Sequence, residues 1–137
     1  MSKAPYERKR EKAIALTRAF HTMLSKNRGM SVTQLIEKLE ELPAPRFYVS
    51  TQNAINMVNR IKRGEEKNMR GRRREMFDEI IERLEKEKRR HPQKSSYDQM
   101  EDVLAQPAPS FYMTGKSMYK IINSHLKENR MRKLGRT

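Results

Sequence analysis

The segment Pro43-Ala44-Pro45-Arg46-Phe47-Tyr48-Val49-Ser50 returns as Pro107-Ala108-Pro109-Ser110-Phe111-Tyr112-Met113-Thr114, about 64 residues later. An eight-residue match sharing Pro-Ala-Pro and an adjacent Phe-Tyr pair is hard to produce by chance. Self-similarity at a fixed offset sets how everything else is divided. The match extends without gaps: Ile55, Met57, Val58 and Asn59 fall opposite Tyr119, Ile121, Ile122 and Asn123. Upstream, Arg8-Lys9-Arg10-Glu11 falls opposite Arg72-Arg73-Arg74-Glu75. The chain therefore reads as two copies, 1–64 and 65–128, followed by a basic C-terminal tail, 129–137.

Around the repeated segment, each copy has the order helix, helix, Pro-containing link, helix. Ile14, Leu16, Phe20, Met23 and Leu24 recur at three- and four-residue spacing and predict a helix over 6–26, closed by Gly29. Ser31 suits the N-cap of a second helix over 32–42, with Leu35, Ile36, Leu39 and Leu42 on one face. Pro43 and Pro45 stop it, and Ser50 caps a third helix that turns Ala54, Ile55, Met57, Val58 and Ile61 inward. The second copy repeats this with Met76, Phe77, Ile80, Ile81 and Leu84, then Tyr97, Met100, Val103 and Leu104. After Thr114 come Met118, Ile121, Ile122 and Leu126. The expected fold is all-α, two tandem three-helix repeats with a Pro-containing link before each third helix. Gly64 and Gly71 flank a charged run that reads as a hinge, because a Gly in a helix interior costs about 1 kcal/mol. The competing reading is one long helix from Ser50 to Lys88. A unit of ~60 residues buries only about 60% of its unfolded surface, so packing of the two copies, or a homo-oligomer, would ease its stabilisation.

Composition narrows the function. Of the 137 residues 35% are hydrophobic and 35% charged, which leaves material for small packed units but not for a large core. There is no Cys, so disulfides, thiolate metal sites and cysteine nucleophiles are excluded. His21, His91 and His125 stand in no ligand spacing, and the five Gly form no phosphate-cradling loop. The carboxylates Asp78, Glu79 and Glu82, and Asp98, Glu101 and Asp102, sit among Lys and Arg at helical spacing and read as salt-bridged helix surface. No catalytic constellation, cofactor or metal is therefore expected. No apolar run approaches the ~18–20 residues that span a bilayer, and the first residues lack a signal-peptide core. A soluble, cytoplasmic protein without membrane contact is expected.

The charge indicates the partner. A net charge of +14 and a pI near 10.3 favour a polyanion. Residues 1–64 hold 13 Lys and Arg against 5 Asp and Glu, residues 65–128 hold 14 against 12, and the tail holds 4 against none. The outward stripe of the third helix carries Gln52, Asn53, Asn56, Asn59, Arg60 and Arg63. Asn and Gln can pair with adenine edges and Arg with guanine or phosphate. The matching stripe of copy two, Lys116, Ser117, Lys120, Asn123, Ser124 and Lys127, suits phosphate contact. A polar helix face is also simply a solvated face. The expected nucleic-acid surface centres on Asn53, Asn56, Arg60, Lys62, Arg63, Arg70, Arg72, Arg73 and Arg74, joined by Lys116, Lys120 and Lys127. Arg8, Lys9 and Arg10, and the tail residues Arg130, Arg132, Lys133 and Arg136, are expected as flexible arms.

The repeated Pro-Ala-Pro-x-Phe-Tyr link has two readings: a clasp whose aromatics anchor the helix junction, or a platform on which unpaired bases stack. The motif, set ahead of a short amphipathic helix, resembles a group of small basic proteins of Bacteroidetes genomes and their phages and mobile elements. The resemblance covers the second half of each copy and implies a DNA-linked context without an activity; this chain departs from the single-copy form by carrying the motif twice. The sequence thus points to a non-enzymatic nucleic-acid-binding protein, DNA in preference to RNA, acting mainly through phosphate contacts. The competing class is a basic structural or adaptor protein, a phage or mobile-element component, in which ten Met on short helices meet a protein partner.

Overall fold

Helix α1 (Pro5–Lys26) opens the fold in a computed structural model that describes residues 5–135, with residues 5–7 described by backbone alone. It is followed by α2 (Val32–Leu39), α3 (Thr51–Lys62), α4 (Gly71–Arg90), α5 (Ser96–Leu104) and α6 (Gly115–Gly135). The protein is all-α, with helices where the apolar spacing predicts them. Ser31 caps α2 with a full capping box: its Oγ accepts from the Gln34 N–H, and the Gln34 side chain accepts from the Ser31 N–H at 3.0 Å. Ser50, Ser95 and Thr114 likewise accept from the N–H groups of Asn53, Asp98 and Ser117. Between α3 and α4 the chain turns, with Gly64 at φ 76° and Gly71 at φ 64°. Those left-handed backbone angles favour glycine and end the possibility of one long helix.

Four expectations at the helix level are corrected. Helix α2, expected over 32–42, ends at Leu39, and Arg8, Lys9 and Arg10, expected as a flexible arm, lie on α1. On α1 the buried stripe is Leu16, Phe20 and Met23, while Leu24 is 37% exposed because it lies one position past the face that packs. The residues 129–135 expected as a tail continue α6 to Gly135, carrying Arg130, Arg132 and Lys133 on a helix. Arg136 lies outside the described residues.

The packing joins the two halves. Helix α3 packs on α4 and α5, whereas α6 packs on α1 and α2. The third helix of each half thus completes a cluster with the first two helices of the other, and the boundary read at 64/65 falls inside the α3–α4–α5 cluster. Between the clusters the two Pro-Ala-Pro links meet: the Ala44 N–H donates to the Ala108 carbonyl and the Ala108 N–H to the Ala44 carbonyl, each at 2.9 Å. The aromatics stack in the same reciprocal sense, Phe47 on Tyr112 at 6.2 Å and 13°, Tyr48 on Phe111 at 5.9 Å and 3°. Tyr112 holds φ 56°, with its N–H donated to Ser110 Oγ. One apolar core runs through both clusters, from Leu16 and Leu39 through Phe47, Phe77 and Val103 to Ile122.

Candidate nucleic-acid interface

Most of the expected central cluster is engaged by carboxylates. Arg60 lies 2.7 Å from Glu66, Lys62 3.1 Å from Glu85, Arg63 3.0 Å from Glu65, Arg72 3.0 Å from Glu40, and Arg74 3.0 Å from Asp78. The pairing is felt by the acids: hydrogen bonding from Arg63 holds the Glu65 carboxyl below its ordinary range, and Lys62 does the same for Glu85. Such exposed pairs are worth about 0–1 kcal/mol each, so they do not lock the side chains, but they cancel much of the local charge. Arg73 lies over the Phe77 ring at 5.3 Å, and Arg70 is an exposed N-cap residue of α4 whose side chain caps nothing. On α3, Asn53 and Asn56 are exposed, and the Asn56 carbonyl accepts from the Gln52 amide at 3.0 Å.

Cations instead converge between α1 and α6, in a groove of about 690 Å³. Helix α1 contributes Lys9, Arg10 and Lys12; α6 contributes Lys120, His125, Glu128 and Arg132. Ala13, Met113 and Ile121 form an apolar part of the wall. Lys120, Ser124, Glu128 and Arg132 are successive i,i+4 neighbours, so one ridge of α6 faces the groove. Among the described residues, five Lys and Arg side chains therefore line it against a single carboxylate. Burial, and then the charge of Lys9, push the Lys12 ammonium below its ordinary value. Of the expected residues, Lys120 and Arg132 belong to this groove with Lys9 and Arg10. Lys116, Lys127, Arg130 and Lys133 are exposed elsewhere on α6. Lys12 was missed by sequence reading, for its place depends on α6, more than 100 positions away.

The aromatic links act as a clasp in this geometry. Phe47 is 1% exposed, with Tyr112 stacked on it and the Arg83 guanidinium over its ring at 5.0 Å. Arg83 also donates to the Pro107 carbonyl at 2.6 Å and to Glu79 at 2.9 Å. No ring face of Phe47 is left for a base. Among the described residues no group of three or more His, Asp or Glu is gathered as a metal site would require, and no helix is long and apolar enough to cross a membrane. No family model, curated protein or solved structure matches the chain.

Proposed function

We propose that the protein binds nucleic acid, DNA in preference to RNA, with the α1–α6 groove as its main phosphate-contacting surface. The observation that carries this reading is the convergence of Lys9, Arg10, Lys12, Lys120 and Arg132 around one groove with one opposing carboxylate among the described residues. Cations held on two packed helices can follow a phosphate backbone without reading sequence. The preference for DNA rests on the exposed Asn53 and Asn56 at the start of α3, since amides on a helix can read adenine edges in the open major groove of B-form DNA. The narrow major groove of an RNA duplex denies them that access.

The test is a salt series on labelled duplex DNA, with duplex RNA in parallel. Wild-type affinity falls log-linearly with salt, and Lys120→Gln with Arg132→Gln flattens the slope by about 0.9 for each lost contact. Arg60→Gln with Arg63→Gln changes affinity far less, because Glu65 and Glu66 cancel much of the charge of both guanidinium groups. Absence of binding at low salt, or an unchanged slope in the groove variant, refutes the reading. The protein-partner alternative draws on Met131 and Leu134, which stand 63% and 66% exposed at the end of α6. Binding to a protein through these residues would be nearly insensitive to salt.

A further inference from the structure

Arg8 is 8% exposed, yet its Nε and one Nη have no hydrogen-bond partner among the described residues. A buried guanidinium with orphaned donors is costly, because removal from water is not compensated by new bonds. Arg8 lines a pocket of about 240 Å³ with Lys9, Lys12, Tyr48, Ser50 and Asn53. None of the described residues lining that pocket is acidic.

We propose that this pocket is a phosphate-binding site built around Arg8. The Arg8 guanidinium, whose Nε and Nη1 are closed to solvent in the free protein, turns into the pocket to meet the ligand, Lys9 and Lys12 supply further positive charge, and the Tyr48 hydroxyl and Asn53 amide supply neutral donors. Ser50 is the N-cap of α3, so the positive end of that helix dipole opens at the same place. Arg46 stands close enough for Arg8 to depress its guanidinium, second to the effect of burial; Glu11, Tyr48 and Glu101 offset part of this. Positive charge thus exceeds negative charge around the pocket, and a dianionic tetrahedral ligand relieves both the repulsion and the orphaned donors. The pocket shares Lys9 and Lys12 with the α1–α6 groove. This inference therefore deepens the proposed function, although its first test does not need nucleic acid.

The experiment is calorimetric titration of the full chain with inorganic phosphate at constant ionic strength in chloride, beside thermal melts in the two anions. Wild-type protein binds phosphate and melts higher in phosphate than in chloride. Arg8→Met, which keeps the stem and removes the donors, weakens phosphate binding about 10-fold or more and loses the phosphate-specific rise in Tm. If Arg8→Met does not fold, Lys12→Gln with Asn53→Ala at the pocket rim serves instead and weakens phosphate binding at least about threefold. Lys127→Gln, exposed on α6 outside both the groove and the pocket, binds phosphate as wild type does. No phosphate binding by the wild-type chain, or equal binding by the Arg8→Met or rim variant, overturns the site. A parallel titration with duplex DNA separates the sources of the phosphate. If Arg8→Met loses DNA and phosphate affinity together, the ligand is a phosphate of the strand; if it loses phosphate alone, the ligand is the free ion. DNA binding that survives while wild-type phosphate binding is absent overturns the pocket and leaves the groove standing.

Discussion

Adding one methyl group at Gly115 should separate α6 from α2. A Cβ built there would run into the Ile36 carbonyl oxygen and lie 2.8 Å from Ile36 Cγ2. The first of these neighbours is backbone, so no rotamer change relieves it, and one helix must shift from the other. The Gly115 N–H also donates to Glu40 Oε1 at 2.8 Å, a bond that any such shift stretches. Overpacking of this kind costs about 3 kcal/mol. The better helix propensity of Ala returns at most about 1 kcal/mol. The net loss of about 2 kcal/mol corresponds to a fall in Tm of about 8 °C for a chain of this length. The assay is thermal unfolding of Gly115→Ala by far-ultraviolet circular dichroism. The control is Gly135→Ala, where a Cβ meets nothing within 4 Å. A Gly115→Ala protein that melts with the parent, or above it, refutes the close α2–α6 packing.

Three further outcomes follow from the same geometry. Phe47→Ala removes a fully buried ring from between Tyr112 and Arg83 and should cost about 3–5 kcal/mol in urea unfolding, as large aromatic truncations do. Arg83→Met keeps the stem but loses the bond to the Pro107 carbonyl, and should cost about 2 kcal/mol in the same assay. The Glu40 carboxyl is held below its ordinary 4.5, first by the Gly115 N–H and then by Arg72. A lowered folded value means that its contribution is complete above 4.5 and is lost as pH falls through the folded value. Acid titration of Glu40→Gln should therefore show a shallower loss of stability below that point than the parent.

The helices were legible because their signals are local. Apolar residues at three- and four-residue spacing, caps at Ser31, Ser50 and Thr114, and the punctuation of Pro43 and Pro107 each act within a turn or two. The end of α6 was not legible, since Met131 and Leu134 are exposed and residues 129–135 bury no apolar stripe that periodicity could register. Which helices pack together was equally silent. The apolar face of α3 suits either pair of partners, and nothing in Ala54 or Val58 names α5. The candidate interface suffered most from this. Glu40–Arg72 and Lys62–Glu85 are meetings across elements, so the residues that neutralise the expected cluster could not be seen beside it. The groove depends on α1 meeting α6 from the far end of the chain. Arg8 reads as one more cation in a basic run, and only its burial distinguishes it.

The meeting of the two Pro-Ala-Pro links has a genetic consequence. Because each half lends its last helix to the other, a gene cut between Glu65 and Met69 encodes two fragments that are each one helix short of a closed cluster. Mixed together, the fragments should restore both clusters by exchange, with Ala44 and Ala108 pairing across the new subunit boundary. A single half, expressed alone, would have the same remedy: two identical chains handing each other their third helix. The covalent connection through Gly64 and Gly71 then supplies proximity rather than architecture. It turns an association that would depend on concentration into one that does not, and it frees the two halves to diverge, so that one could gather cations while the other balanced them.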